Sequence, residues 1–300
     1  MTTAMTRPLK CSLIALLCCA LGTSAQAAPI SVTDDAGHLI TLKTPARRIV
    51  SLAPHVTELL FAAGAGERLV GVSDYSDFPP AAKAIGSVGG AASLDIERIV
   101  QLKPDLVVAW GSGNSASQLA RLRALGIAVF DSEPRTFAAI ASSLERLATL
   151  AGSEAVGHAA AEDFRTRIQT LSSTYQQRAP VRVFYQIWRE PLMTLNGKSM
   201  VSAAIRLCGG NNIFAQLPQI APVVGTEAVL EANPEVILTG GDDEMAALAG
   251  WRRFSSLLAA QRNNLFVINA DWLARSGPRL LDGTELLCRQ LDSARRKRPS

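Results

Sequence analysis

One helix–strand pattern occurs twice in the chain, and it restricts the possible fold more than any other feature of the sequence. The segment IERIVQLKPDLVVAWGSG (residues 96–113) returns in modified form as TEAVLEANPEVILTGGDD (residues 226–243). Both segments have Glu at the second position, Pro seven residues later, then an acidic residue, a run of apolar residues and a glycine. A repeat that spans a whole helix and strand predicts two lobes of related architecture.

Strand-like and helix-like segments alternate on both sides of a long helical stretch at residues 136–178. The strand DLVVAW has the continuous apolar character of a strand covered on both faces. The helix before it has Ser93 or Asp95 as its N-cap, and Pro104 ends it. This alternation predicts an α/β fold of two Rossmann-like lobes, with parallel sheets, joined by one long α-helix. The predicted divisions are a signal peptide (residues 1–27), an N-terminal α/β lobe (28–151), a linker helix (152–178), a C-terminal α/β lobe (179–293) and a solvated basic tail (294–300).

The first 27 residues have the features of a secretory signal peptide. Arg7 and Lys10 precede the apolar run CSLIALLCCALG, and AQA supplies the small-x-small cleavage pattern. The run is too short to span a membrane, so we predict export and a periplasmic location. Export leaves two cysteines in the mature chain, Cys208 and Cys288. They form either a disulfide or two unrelated buried thiols.

Charge and motifs favour a binding protein over an enzyme or a nucleic-acid-binding protein. The formal net charge is only +4, and no basic stripe with interleaved aromatic residues is present. There are three histidines and no HExxH, CxxC or G-x-S-x-G motif, so no catalytic or metal-binding set is recognisable. We therefore predict no catalytic residue, no metal and no cofactor. His55, at a predicted helix start, is interpreted as structural, with haem ligation as the alternative.

Four aromatic residues follow predicted strands, where a cleft between two lobes would lie. Ligands bind at the carboxyl ends of parallel strands, and flat rings there suit a large, flat, partly apolar ligand. Asp271 and Arg275 flank one of these rings and are placed to bond a polar rim, although they could equally form a local ion pair. The four aromatic residues are Tyr75, Trp110, Trp188 and Trp272.

Five motifs, in this order, resemble the periplasmic cobalamin-binding proteins of the BtuF type: RRIVSLAPHVTELLFAAG, VGVSDYSDFPP, LDIERIVQLKPDLVVAWGSGN, LCGGNNIFA and DWLARSGPR. Those proteins belong to a superfamily of substrate-binding proteins in which a rigid helix bridges two α/β lobes. The resemblance covers residues 47–291. It implies a monomeric periplasmic carrier that binds cobalamin or a related corrinoid between its lobes and delivers it to an ABC import permease in the inner membrane.

The resemblance also implies roles for individual residues. Tyr75 matches a loop tyrosine that contacts the corrin, Trp110 matches an aromatic residue of the cleft, and residues 271–275 match a ligand-contacting segment. Glu97 and Glu227 match two glutamates that dock on arginines of the permease, and Cys208 and Cys288 match the family's disulfide. The full set of predicted ligand contacts is Tyr75, Trp110, Trp188, Asp271, Trp272, Leu273, Ala274 and Arg275.

The sequence departs from the family pattern in ways that keep other ligands open. Aromatic residues of the family cleft are replaced near Ala91, near Ala221 and at Met193 or Thr194, and we hypothesise that Trp188 compensates. Haem carriers of the superfamily place an iron-binding tyrosine before a proline in the loop of Tyr75, where this chain has Phe78. A ferric-siderophore carrier would need several cations in the cleft, and the candidates are Arg275, Arg189 and Arg279. An exported enzyme on this scaffold is the alternative from another class.

Overall fold

The computed structural model describes residues 1–4, 28–240 and 244–299, so the predicted signal peptide falls almost wholly outside the described residues. Among the described helices, none combines the length and the apolar character needed to cross a bilayer. The described strands are β1 (Ile30–Thr33), β2 (Leu39–Leu42), β3 (Ile49–Ser51), β4 (Leu69–Val72), β5 (Gly89–Gly90), β6 (Ser93–Leu94), β7 (Leu106–Trp110), β8 (Ala128–Ser132), β9 (Val181–Gln186), β10 (Gly210–Asn212), β11 (Val236–Thr239) and β12 (Leu265–Val267). The described α-helices are α1 (Pro54–Ala62), α2 (Ile96–Gln101), α3 (Ala116–Ala124), α4 (Phe137–Ala151), α5 (Glu154–Tyr175), α6 (Met200–Leu207), α7 (Thr226–Ala232), α8 (Glu244–Arg252), α9 (Leu258–Gln261), α10 (Ala270–Ala274) and α11 (Leu280–Arg296).

Two four-stranded parallel sheets form the centres of two lobes. The first sheet has the strand order β4-β3-β7-β8, and the second has the order β10-β9-β11-β12. In both sheets the first strand in chain order lies in the second position, the second strand lies at the edge beside it, and the last two strands follow on the other side. The predicted α/β fold with two Rossmann-like lobes is confirmed. The two segments that resemble one another in sequence are α2 with β7 and α7 with β11, which are the same helix and strand of each lobe.

Helices cover both faces of each sheet, which explains the continuous apolar runs of the central strands. In the first lobe, Val50 and Val107 pack towards α2 and α3 on one face. On the opposite face, Ile49 and Val108 belong to the largest core. That core runs from α1 and α4 of the first lobe through α5 into α6 and α11 of the second. The lobes are therefore joined by packed apolar side chains as well as by the chain itself.

The long helical stretch between the lobes folds as two helices, α4 and α5. Thr136 caps α4 by accepting a hydrogen bond from Ala139 N at 3.0 Å, and Gly152 ends it in the left-handed conformation with φ of 65°. A glycine is favoured there because a side chain strains this backbone. Helix α5 has 22 residues, which corresponds to a length of about 33 Å. It covers most of the predicted linker helix, residues 152–178.

The basic segment from residue 294 is not the solvated tail that the sequence suggests. Helix α11 continues to Arg296. Arg295 Nε donates to Ala179 O at 2.8 Å, and Arg298 Nε donates to Glu235 Oε2 at 2.8 Å. These arginines fasten the last helix to the chain around the start of the second sheet, because each satisfies an acceptor there.

Candidate ligand-binding cleft

The loop after β4 presents Tyr75 to solvent. Tyr75 has a left-handed backbone, with φ of 63°, and is 83% exposed. Its neighbour Ser76 is buried, and it accepts a hydrogen bond from the Thr57 hydroxyl at 2.9 Å and lies 3.2 Å from the Ser73 hydroxyl. A positive φ is uncommon for a bulky residue, and such backbone strain clusters at functional sites. The loop is therefore fastened to the lobe on one side while its aromatic ring stays free to meet a ligand.

His55 and Trp110 meet at the carboxyl ends of β3 and β7. These strands lie where the strand order of the sheet reverses, which is where open α/β sheets bind ligands. The two ring centroids are 5.7 Å apart, with the ring planes at 85°. Both rings line a cavity of about 240 Å³ with Glu133 and, from the second lobe, Ala274 and Arg275. Three predicted contacts, Trp110, Ala274 and Arg275, are thus brought together, whereas His55 and Glu133 were not in the predicted set.

His55 is a neutral histidine inside this cavity wall. Burial lowers the pKa of His55 to about 4, although the charge of Glu133 and a hydrogen bond to the Ser132 backbone act in the opposite direction. At neutral pH the imidazole is therefore uncharged. A neutral imidazole keeps one ring nitrogen able to accept a hydrogen bond or to bind a metal ion.

In the second lobe, Trp188 shares an exposed face with Met193 and Val223. Antiparallel bridges pair Trp188 with Met193 and Met193 with Val223, so the three side chains lie on one side of a small irregular sheet. Trp188 is 60% exposed and Val223 is 62% exposed. Thr194, by contrast, is fully buried and donates to a β9 carbonyl at 2.7 Å. Met193 is half-buried on this face, whereas Thr194 lies behind it in the interior.

The predicted segment 271–275 consists of most of α10 and the residue after it. Asn269 caps α10, because its Oδ1 accepts a hydrogen bond from Asp271 N at 2.8 Å. Trp272 is half-buried, Ala274 is exposed, and Leu273 is only 1% exposed and lies in the shared core. The segment is therefore anchored by Leu273 and offers Ala274 and Arg275 to the cavity between the lobes.

Arg275 connects the second lobe to the first. Its guanidinium lies 2.9 Å from Asp77 Oδ1 and 3.1 Å from Glu58 Oε1, both in the first lobe, and 3.0 Å from Asp271 Oδ1. Although partial burial acts in the opposite direction, hydrogen bonds with Asp77 and Glu58 raise the pKa of Arg275. Partial burial would raise the pKa of the Asp77 carboxyl, but the hydrogen bond and the charge of Arg275 outweigh it, so this pKa is lowered. A ligand that hydrogen-bonds to Arg275 must therefore share it with three carboxylates.

Glu97 and Glu227 occupy equivalent exposed positions in the first turns of α2 and α7. Asp95 caps α2 by accepting a hydrogen bond from Arg98 N at 2.9 Å, whereas Gly225 precedes α7 without a side-chain cap. A carboxylate in the first turn is also favoured by the helix dipole. The two lobes thus each present one glutamate at the same place of the repeated unit.

Two further features complete the comparison with the sequence. Cys208 and Cys288 form a disulfide, as the family resemblance implies, and it joins the end of α6 to α11. Ala91 is half-buried and its carbonyl accepts a hydrogen bond from the Asn114 side chain at 3.0 Å, whereas Ala221 is exposed.

One group of possible metal ligands lies among the described residues, at Asp34, His38 and Asp131, where the sequence predicted none. Asp34 accepts hydrogen bonds from the backbone N–H groups of Ala36, His38 and Asp131. The Asp34 carboxylate is therefore satisfied by backbone N–H groups. Asp131 Oδ2 is paired with Arg123 at 2.6 Å, whereas Asp131 Oδ1 is buried without a hydrogen-bond partner in the described part of the chain.

Comparison with known proteins gives a consistent result. The family model described as periplasmic binding protein matches residues 49–271. A vitamin B12-binding protein of Vibrio cholerae serotype O1 is 42% identical over 262 residues, which cover 86% of this chain and 94% of that protein.

Solved structures give the same fold. The crystal structure of the periplasmic vitamin B12 binding protein BtuF of Vibrio cholerae matches with a TM-score of 0.79 and 43% identity, over 84% of this chain and 98% of that chain. The periplasmic heme-binding protein BhuT, in complex with two hemes, matches with a TM-score of 0.74 over 84% of this chain and 99% of that chain. At 24% identity, this second likeness concerns the fold alone.

Proposed function

The chain belongs to the periplasmic binding protein family, and on that premise we propose that it binds cobalamin or a related corrinoid between its two lobes and delivers it to an ABC import permease. The choice of ligand depends on the similarity to vitamin B12-binding proteins over nearly the whole mature chain. We further propose that the predicted signal peptide is cleaved, and that the carrier is a periplasmic monomer without catalytic activity.

The chemistry of the cleft supports a corrinoid. A corrin has broad apolar faces and a rim of amides, so stacking against aromatic rings and a few hydrogen bonds suffice to hold it. Tyr75 in the first lobe and Trp188 in the second are both largely exposed, and each stands on a segment fixed by hydrogen bonds. Trp110 and Arg275 line the cavity between the lobes. We assign these residues, with Asp271, Trp272 and Ala274, to the ligand, and Leu273 to the support of that segment.

Haem is the second candidate ligand, and His55 is the observation that favours it. The neutral imidazole of His55 lines the cleft cavity and has the chemistry of an iron ligand. Against haem, Phe78 offers no ligating atom at the place of the superfamily's tyrosine. An anionic ferric siderophore is favoured less, because Arg275 and Arg279 are both paired with carboxylates.

Titration of the purified protein with cyanocobalamin, dicyanocobinamide and haem, each followed by its visible absorbance, tests the proposal. We expect saturable binding of at least one corrinoid at equimolar ratio and weaker binding of haem. Saturation by haem together with no response to either corrinoid would assign the protein to haem instead. A response to none of the three would refute both candidates.

A further inference from the structure

A buried carboxylate of the first lobe meets two arginines of the second. Glu58, on α1, is only 3% exposed. Its Oε1 accepts hydrogen bonds from Arg279 Nη2 at 2.6 Å and from Arg275 Nη1 at 3.1 Å, and its Oε2 accepts one from Arg279 Nε at 2.9 Å. The paired geometry of Arg279 is the strongest form of this interaction. Because the arginines come from the loop between α10 and α11, these bonds tie the two lobes together.

The backbones approach closely at the same place. Gly277 lies between the two arginines and is buried. A β-carbon built on Gly277 would contact His55 O and Glu58 Oε2, each at 3.5 Å. The loop of the second lobe therefore packs directly against the first turns of α1, which brings Arg275 and Arg279 within reach of the Glu58 carboxylate.

The same arginines hold the loop that carries Tyr75. Arg275 bonds Asp77 Oδ1 at 2.9 Å, and its Nη2 lies 3.4 Å from Tyr75 O. The Arg279 guanidinium stacks over the Phe78 ring, 4.2 Å from its centroid, a cation–π contact. One set of contacts thus fixes both the separation of the lobes at this point and the position of the loop that presents the ring of Tyr75.

We propose that Glu58, Arg275 and Arg279 form a cross-lobe tether, and that Glu58 and Arg279 are positioning residues for ligand binding that do not touch the ligand. Removing one partner of a buried ion pair leaves the other charge uncompensated, so the contact persists only as a unit. A cleft held in its bound shape before the ligand arrives avoids the ordering cost at binding. The part that concerns the ligand rests on the proposed function, whereas the part that concerns the lobes does not.

The distance between the lobes tests the tether without any ligand. Spin labels on cysteines introduced at Ala120 and Glu231, both exposed and in different lobes, report it by double electron–electron resonance. The native Cys208 and Cys288 are joined to each other and stay unlabelled. We expect a longer or broader distance distribution in Glu58→Gln and Arg279→Met than in the parent protein. An unchanged distribution in both variants would overturn the tether.

Affinity for cyanocobalamin tests the positioning role. We expect Glu58→Gln and Arg279→Met each to bind on the order of 10-fold more weakly, mainly through faster dissociation. Arg279→Lys should restore part of the loss, because it keeps the charge but not the paired hydrogen bonds. A control is Arg167→Met, which removes an ion pair between α5 and Asp282 and should leave affinity unchanged.

The outcomes separate the two proposals. Wild-type affinity in folded Glu58→Gln and Arg279→Met, with folding checked by circular dichroism, would refute the positioning role. A loss in Arg167→Met as large as in the tether variants would also refute it, since any surface ion pair would then suffice. If the parent protein binds no corrinoid, the proposed function fails, and the distance measurement alone decides the tether.

Discussion

Burial in the folded protein lowers the pKa of His55, and this makes the free energy of unfolding depend on pH in a defined range. Its pKa is about 4 in the folded protein and about 6.5 in an unfolded chain. Between these values the unfolded chain binds a proton that the folded protein does not bind. The stabilisation is therefore complete above about pH 6.5 and is lost as the pH falls through about 4.

We expect His55→Gln to remove this pH dependence. The difference in pKa corresponds to about 3 kcal/mol of unfolding free energy between pH 7 and pH 4. Urea denaturation at pH 7, 5.5 and 4 measures it. Between pH 7 and pH 4 the free energy of unfolding of the parent should fall by that amount more than the free energy of unfolding of the variant. His158→Gln, on the exposed surface of α5, is the control and should run parallel to the parent. Parallel curves for His55→Gln would contradict the expectation.

Tyr75 and Trp272 test the aromatic wall of the cleft. We expect Tyr75→Ala with Trp272→Ala to weaken corrinoid binding by a few kcal/mol, from about 0.5–1.5 kcal/mol for each aromatic contact plus the lost apolar area. Isothermal calorimetry measures the change. Tyr75→Phe keeps the ring and should stay close to the parent, while Tyr175→Ala, on the linker helix, controls for a lost tyrosine elsewhere. An unchanged affinity in the double variant would remove both residues from the site.

Single loops and strand ends can be located from the sequence, whereas contacts between the two lobes cannot. Trp110 was proposed because it lies at the end of a strand, and Tyr75 because its loop follows one. Glu58, near the start of α1, received no functional role from the sequence. Its partners, Arg275 and Arg279, are 217 and 221 residues away, so no local pattern could pair them. Arg275 was proposed as a ligand contact with a local ion pair to Asp271 as the alternative. That pair is present in the structure, and the pairing with Glu58 and Asp77 comes from the tertiary structure alone.

The disulfide between α6 and α11 is a stabilising element outside the cleft. Cys208 and Cys288 are 80 residues apart in the chain, so the link restricts a long loop of the unfolded state. We expect the double substitution Cys208→Ala, Cys288→Ala to lower the free energy of unfolding by about 2–5 kcal/mol. Guanidinium denaturation measures it. The parent protein under reducing conditions should lose a similar amount, and equal denaturation midpoints in oxidised parent and variant would contradict the expectation.

The β1–β2 hairpin and the end of α11 were the elements hardest to predict from the sequence. The β1–β2 hairpin was not predicted, although the turn Asp34-Asp35-Ala36-Gly37 lies between alternating apolar residues and Gly37 has φ of 87°. That alternation was the available signal. The basic end of α11 was read as solvated because its charges are clustered, and the backbone carbonyls and Glu235 that pair with them lie in distant segments.

For the whole molecule, the internal repeat was the most informative sequence feature, because it predicted both lobes and their equivalence. The two sheets have the same strand order, which is consistent with equivalent lobes. The repeat also pairs Glu97 with Glu227, since each is the second residue of the equivalent helix. What a repeat cannot predict is how the lobes face one another, which depends on the shared core and on the contacts of Glu58.

The equivalence of the lobes leads to a prediction about transport. Each lobe presents one exposed glutamate, Glu97 or Glu227. A partner with two cations at the matching separation could contact both. Each contact raises the effective concentration for the other, so losing one weakens docking and reversing both adds repulsion. We therefore expect the double variant Glu97→Lys, Glu227→Lys to bind cyanocobalamin with the affinity of the parent but to abolish corrinoid uptake.

The measurement pairs a titration of the purified carrier with uptake of labelled cyanocobalamin by cells that depend on it. Each single variant should retain partial uptake, because one docking contact remains. Glu162→Lys reverses an exposed charge on the linker helix and should transport normally, which separates docking from a general effect of charge. If the double variant imports at the parental rate, these glutamates do not dock. We expect the docking surface to be independent of the cleft, because Glu97 and Glu227 lie on α2 and α7. Failure of the double variant to bind the ligand would contradict this independence.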